Sequence, residues 1–322
     1  MKRLLLISGH IDGKPTGGVT MHVHRLLKQV IEKEIPNYSV SDYKVEGFGA
    51  QIKKLREADV VHIHASNPFL KLTYAILGKL YGVKTLMTLH GRFGVYGRVK
   101  NFVNKCALRL CDVPILINKE SYEEVSRFNS HSVFIPAFLP PIEAEEKLEE
   151  ETARVISEIK SDGHLLFVTN ASNRSYTDDG KEIYGITFLI DYFENRQDFN
   201  LLILDPKNQY WMEYKDKMPQ NVTIITGLHS FCGAMELSDF VVRNTPIDGD
   251  SFSVKEALCY HKRILATDAV SRPKGVFLFR YNDAASLDKA IGEAMAFHGA
   301  VNLEEEDAVG LYIQLYRSLG LC

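Results

Sequence analysis

The sequence predicts an α/β protein built from two doubly wound halves, each a parallel sheet covered by helices. Three observations predict it. Short apolar runs of strand length alternate with amphipathic helical stretches along the whole chain. The runs are continuous rather than polar at every second residue, so the strands are buried on both faces, as in parallel sheets. The alternation breaks once, at Pro136–Pro141 with three prolines in six residues, and then restarts. A length of 322 residues also exceeds what one core usually holds.

In the first half, strands are expected at Leu4–Ile7, Val40–Lys44, Val60–His64, Thr85–Leu89, Val113–Ile117 and Val133–Ile135. Helices fit between them at Val19–Glu34, Gln51–Glu57, Phe69–Tyr81, Arg98–Leu110 and Ser121–Phe128. The acidic stretch Glu143–Ile159 reads as a helix at the interdomain crossing. Strands then recur at Leu165–Val168, Leu201–Leu204, Val222–Ile225, Phe240–Val242, Ile264–Ala266 and Val276–Phe279. Their helices are Ile186–Phe193, Tyr210–Met218, Phe231–Leu237, Val254–Tyr260 and Ala284–Phe297, and a last helix, Glu304–Ser318, closes the chain. The expected organisation is an N-terminal domain over 1–142, a second domain over 143–303, and a C-terminal helix over 304–322 that packs back on the first domain. Two such domains facing a cleft would bind ligands in the loops beyond the carboxyl ends of the strands.

Composition is that of a globular protein, 45% hydrophobic and 25% charged. No apolar run of some 18 residues is present, so no membrane-spanning helix is expected. The start, MKRLLLISGHIDG, is too short in its apolar part for a signal peptide and reads as a first strand. Five scattered cysteines with no C-x-x-C pair point to reduced thiols in the cytoplasm. The net charge of −3 hides an asymmetry: residues 1–142 carry +9 and the remainder −12. A basic first half suits an anionic partner such as a membrane surface or a pyrophosphate-bearing acceptor, with chance surface variation as the alternative. Nucleic acid is not expected as a partner.

The most informative stretch is SDFVVRNTPIDGDSFSVKEALCYHKRILATD, Ser238 to Asp268. A strand ends in a polar loop with Asp248, Gly249, Asp250 and Ser251, and a helix carrying Glu256 follows. A helix N-terminus with its unsatisfied N–H groups attracts phosphate. Carboxylates beside it suit a ligand with both hydroxyls and phosphates, such as a nucleotide sugar. Asp248-Gly249-Asp250 also spells D-x-D, but a hard cation wants further oxygen ligands that the sequence does not supply. The first loop, Gly9–Gly18, ends at a helix start, where Gly17 and Gly18 admit close approach of a ligand or serve only a chain reversal. It matches neither a dinucleotide fingerprint nor a P-loop.

His90 ends a strand, where it can donate to a sugar oxygen or merely cap a turn. Two H-x-H pairs, His22/His24 and His62/His64, read as satisfied core histidines, since a metal site needs three or four ligands. In the loop TNASNRSYTDDGKEIYG, Arg174 and Lys181 are placed to meet a diphosphate, with solvated surface charge as the alternative. Arg92, Arg98, Lys100 and Lys105, interleaved with Phe93, Val95, Val99 and Phe102, fit a membrane or acceptor side as well as an ordinary helix face.

These residues resemble glycosyltransferase family 4, retaining enzymes of the GT-B fold, and among them bacterial transferases that build surface polysaccharides. The likeness rests on the early GG loop, ADVVHIHASNP, GVKTLMTLHG and the Ser238–Asp268 stretch, in that order. It implies that His90 stands near the donor sugar and that Arg174 and Lys181 neutralise the diphosphate. It implies that Asp248 touches the transferred sugar and Glu256 the ribose, while the amides of Ser251, Phe252, Ser253 and Val254 line sugar and phosphate. A nucleotide-sugar donor, a glycan or polyprenyl-linked acceptor and no cofactor or metal follow from it, as does a cytoplasmic place at the inner membrane face. The first acid here is Asp where the family has Glu, and Tyr184-Gly185 stands where it has lysine-glycine. A sugar-nucleotide 2-epimerase of the same fold and a non-catalytic nucleotide-sugar-binding protein are the competing readings.

Overall fold

A computed structural model describes residues 2–9, 11, 18–248, 251–304 and 306–322, with the backbone alone at 144 and 146. The chain falls into two compact units, Met1–Leu139 with Glu305–Cys322, and Pro140–Glu304.

The first unit holds six strands: β1 (Leu4–Ser8), β2 (Tyr38–Asp42), β3 (Val60–His64), β4 (Lys84–Leu89), β5 (Val113–Leu116) and β6 (Val133–Phe134). They form one parallel sheet in the order β2-β1-β3-β4-β5-β6. Alternate side chains of each strand enter different cores. Leu4, Leu6, Val60, Leu86 and Ile115 pack under the first helix, while Leu5, Ile7, Val61, Ile63 and Met87 pack under Tyr74, Ala107 and Leu108. Burial on both faces is why these strands are apolar at nearly every position; each buried Leu or Ile contributes about 1.5–3 kcal/mol. The closing helix, Ala308–Ser318, belongs to this unit and sends Tyr312 and Tyr316, both fully buried, into the first of the two cores.

The second unit holds β7 (Leu165–Asn170), β8 (Phe199–Asp205), β9 (Val222–Thr226), β10 (Phe240–Arg243), β11 (Arg263–Thr267) and β12 (Val276–Phe279). Its sheet runs β12-β11-β10-β7-β8-β9, again parallel throughout. Phe167, Leu201, Ile203, Phe240 and Val242 face one core, and Leu166, Val168, Leu202, Val241 and Ile264 the other.

Strand order reverses once in each sheet, between β1 and β3 and between β7 and β10. Crossovers leave to opposite faces there, which opens a crevice outside the carboxyl ends of the strands. His64 ends β3 at the first of these points. Asn170 ends β7 and Arg243 ends β10 at the second.

Element bounds differ from the sequence expectation where side chains intervene. Helix Val19–Glu34 is divided: Gly18–Leu26, a π-helical turn Leu27–Ile31, then Glu32–Glu34. The wider turn keeps Leu27, Val30 and Ile31 buried together. The acidic stretch forms two helices, Glu143–Glu146 and Glu150–Lys160, because Leu148 turns in against the core between them. The last helix starts at Ala308 rather than Glu304, since the Asp307 side chain caps it by accepting from the Gly310 N–H. Strand β2 ends at Asp42, two residues early, where the carboxylate accepts from the Ile11 and Lys44 N–H groups.

Candidate functional site

The loop after β10 is pinned by charge. Arg243, the last residue of β10, donates from Nε to Asp248 Oδ2 at 2.7 Å and from Nη2 to Oδ1 at 2.9 Å. Arg272, in the loop after β11, donates from Nη1 to Asp248 Oδ2 at 2.8 Å and from Nε to the Thr267 carbonyl at 3.0 Å. The Asp248 and Arg272 side chains are 7% and 3% exposed. Burial would raise the Asp248 carboxyl, but the hydrogen bonds and charges of the two guanidiniums outweigh it and hold the group below the usual carboxylate range. Both carboxylate oxygens of the first acid of the expected donor pair are thus engaged by arginines. Glu256, in helix Phe252–Cys259, is buried at 7% exposure. Ser251 caps no backbone group of that helix with its side chain, and its hydroxyl meets Ser253 Oγ at 3.0 Å. Phe252 and Ser253 are partly exposed and Val254 is buried. Gly249 and Asp250 lie outside the described residues.

Contacts carry this loop across to β7. The Arg243 guanidinium lies 5.7 Å from the Tyr184 ring centroid, and the Tyr184 hydroxyl bonds Ser172 in the loop after β7. Gly185 follows with φ of +52°, and a Cβ there would fall 2.2 Å from Asn244 Nδ2, so only glycine fits. Asn244 Nδ2 in turn donates to the Gly185 carbonyl at 3.1 Å. Tyr184-Gly185 therefore joins the two strand ends of the switch point.

Arg174 pairs with Glu213 and lies 5.8 Å from the ring centroids of both Tyr176 and Tyr210. Its Nε is buried without a hydrogen-bond partner among the described residues. Arg174, Tyr176, Lys207, Asn208, Gln209 and Met212 line a cavity of about 610 Å³. Lys181 is placed differently: it sits in a tight hairpin closed by the Tyr176–Glu182 bridge, half exposed, with Nζ 2.8 Å from Asp179. The second cation of the Arg174 cavity is Lys207, which nothing in the sequence singled out.

In the first unit, burial decides the chemistry. His22, His62 and His64 are fully buried, and His90, after β4, is half-buried. Burial pushes His22 down to about 4 and His62 to about 3, and holds His64 and His90 well below the usual histidine range. The rings are therefore neutral, and one carbonyl fixes the tautomer of His22. His22 Nδ1 lies 2.7 Å from the Ala137 carbonyl, which only accepts, so the proton is on Nδ1. His22 Nε2 then accepts from the Tyr312 hydroxyl at 3.1 Å. His62 Nε2 lies 2.8 Å from Thr88 Oγ1 and His62 Nδ1 lies 2.7 Å from the Tyr316 hydroxyl, so both ring nitrogens are engaged. His64 Nδ1 meets His90 Nε2 at 2.8 Å. Among the described residues no group of three or more His, Cys, Asp or Glu is placed to hold a metal ion.

Of the other expected site residues, Gly18 opens its helix on the exposed surface, and a Cβ there would meet no described atom within 4 Å. Gly17 lies outside the described residues. Arg92 pairs with Glu120 at 3.0 Å, Lys105 Nζ lies 5.3 Å from the Phe128 ring centroid, and Arg98 and Lys100 are exposed. Val95, Val99 and Phe102 are 60%, 69% and 69% exposed beside them. No helix among the described residues is long and apolar enough to cross a membrane.

No protein-family model matches the chain, and no curated protein matches it significantly. Solved structures do. The chain is similar to Anabaena HepE in complex with UDP and glucose, at 12% identity and a TM-score of 0.66 over 99% of this chain and 100% of that one. It is also similar to UDP-GlcNAc 2-epimerase from Methanocaldococcus jannaschii, at 10% identity and a TM-score of 0.63 over 99% of each chain. Sucrose-phosphate synthase from Thermosynechococcus elongatus follows at 13% identity and a TM-score of 0.60 over 99% of each chain. The fold is thus the α/β GT-B fold, two Rossmann-like parallel-sheet domains.

Two outcomes follow from the geometry. The depressed histidines make no difference to stability above about pH 6.5, where folded and unfolded rings are both neutral. Below it the unfolded chain binds protons that the folded one refuses, so stability falls toward pH 4 to 3, where the folded rings titrate. His22 and His62 should each cost about 2 kcal/mol at pH 5, read from urea unfolding across pH; a flat profile from pH 7 to 5 would contradict their neutrality. Asp248→Ala strands two arginine side chains and should cost about 3–5 kcal/mol in the same assay at pH 7; a loss below about 1 kcal/mol would place the triad among surface ion pairs.

Proposed function

We propose that the protein is a glycosyltransferase that moves a sugar from a nucleoside-diphosphate sugar to a hydroxyl acceptor without a metal. One observation carries this reading. The loop after β7 carries Arg174 into a cavity shared with Lys207 of the loop after β8, and through Ser172 and Tyr184 the same loop meets Arg243 of the Arg243–Asp248–Arg272 cluster beyond β10 and β11. Such a place suits a polyanionic tail with hydroxyls beside it. Solved structures of the same fold with UDP and with UDP-glucose support it.

Departure of the nucleoside diphosphate leaves negative charge on the phosphates and positive charge on the sugar. Arg174 and Lys207 stabilise the first, together with the N-terminus of helix Phe252–Cys259, while a part for Lys181 rests on the sequence resemblance. Glu256 receives the ribose hydroxyls. Asp248 holds Arg243 and Arg272 with both carboxylate oxygens, and its place against the transferred sugar rests on the sequence resemblance. A place for His90 near the donor sugar rests on the sequence resemblance. Retention of configuration and membership of family 4 rest on the sequence resemblance. The acceptor is a glycan or a polyprenyl-linked glycan. The exposed Val95, Val99 and Phe102 among Arg98, Lys100 and Lys105 support contact with an anionic membrane surface.

A second reading, sugar-nucleotide 2-epimerase, is favoured by the likeness to epimerases that cover the chain from end to end. Binding and turnover separate the possibilities. UDP or GDP at 100 times its dissociation constant should stabilise the protein by about 2.7 kcal/mol. Incubation with UDP-glucose or UDP-GlcNAc should release an epimerised sugar only if the second reading holds, and otherwise give transfer that requires acceptor. Arg174→Ala should lower transfer by about 100-fold, and Arg98→Ala should hardly change it with a soluble acceptor. Equal effects of the two would reject the donor assignment.

A further inference from the structure

His90 is held at one ring nitrogen only. Its Nε2 lies 2.8 Å from His64 Nδ1, and its Nδ1 makes no hydrogen bond to a described residue. His64, at the end of β3, is fully buried, and its Nε2 is without a hydrogen-bond partner among the described residues. The single proton in the His64–His90 bond can belong to either ring, and the two choices differ in what they leave behind. If His90 donates, His64 is protonated on Nε2, which buries an N–H with nothing to accept it. If His64 donates from Nδ1, its Nε2 is a bare lone pair. Either choice leaves that nitrogen unpaired, but an N–H also has to fit a hydrogen into the closed space around a fully buried ring atom, which a lone pair does not. Burial also keeps both rings neutral, which removes a doubly protonated alternative.

We propose that His64 is a positioning residue that fixes His90 as the Nδ1–H tautomer, so that the unengaged nitrogen of His90 is a hydrogen-bond donor for a ligand oxygen at the switch point of the first unit. The ligand class is an oxygen acceptor without a proton to give, or a hydroxyl oriented to accept. Its identification as a sugar oxygen rests on the glycosyltransferase reading; the tautomer does not. In water the other tautomer of histidine, protonated on Nε2, is preferred, so the assignment makes a distinct spectroscopic statement.

Long-range proton–nitrogen correlation NMR of the whole ¹⁵N-labelled chain at pH 7.5 reads it, with the His90 ring assigned by its loss in His90→Gln. The expected result is His90 protonated on Nδ1 and bare on Nε2. His64→Asn offers an amide N–H close to the position of Nδ1 and should preserve that pattern. His64→Leu removes the donor and should shift His90 to the Nε2–H form. An Nε2–H or doubly protonated His90 in the unaltered protein overturns the proposal, and so does an Nδ1–H form that persists in His64→Leu. Should His64→Leu fail to fold, the unaltered protein and His64→Asn still decide. UDP-glucose is added last: no binding would remove the glycosyltransferase reading and leave the tautomer result standing.

Discussion

A parallel sheet covered on both faces leaves polar chemistry chiefly at the ends of its strands, and this protein is built on that constraint twice. The inner strands are apolar at most of their buried positions, because either face meets a core. Charged and hydrogen-bonding side chains therefore gather where strands stop and where strand order reverses. His64 and His90 lie at one such place, Arg174, Arg243 and Asp248 at the other. The candidate sites are consequences of topology before they are consequences of particular motifs.

The two units meet the cost of burying polar groups in different ways. In the second, charge is retained and matched: a carboxylate accepts from two guanidiniums whose donors fit its oxygens. In the first, charge is refused: imidazoles stay neutral, and hydroxyls of Thr88, Tyr312 and Tyr316 complete their bonds. The closing helix supplies both tyrosines, so the far end of the chain completes the core that its beginning opens. The Ala137 carbonyl sets the His22 proton on Nδ1 and turns the Tyr312 hydroxyl toward Nε2.

Local patterns revealed much of this and missed what only tertiary contact creates. Strand positions were legible because a short, continuous apolar run between turn residues can escape water only by burial on both faces, as a central strand is buried. Of the two H-x-H pairs read as satisfied core histidines, His22, His62 and His64 are buried, whereas His24 is partly exposed and His64 keeps one ring nitrogen without a partner among the described residues. Asp248 was legible as a loop carboxylate, but its partner Arg272 stands 24 residues away across another strand, and no spacing rule connects them. His62 and Tyr316 are 254 residues apart, and the His64–His90 bond joins two strand ends through the register of β3 on β4. Lys207 entered the Arg174 cavity without any motif, because a lone lysine before a short helix looks like surface. The helix breaks at Leu27 and Lys147 were set by which side chains the cores could accept, a quantity periodicity does not contain.

The proposed function places a nucleoside diphosphate in the strand-end loops of the second unit. Amide hydrogen exchange with and without UDP tests it most directly, since a ligand that binds the native state slows local opening where it sits. Slower exchange on UDP addition confined chiefly to residues 171–185 and 251–256 is the predicted result. UDP-dependent protection that spares both segments, or none anywhere at saturating concentration, would rule out a nucleotide site there.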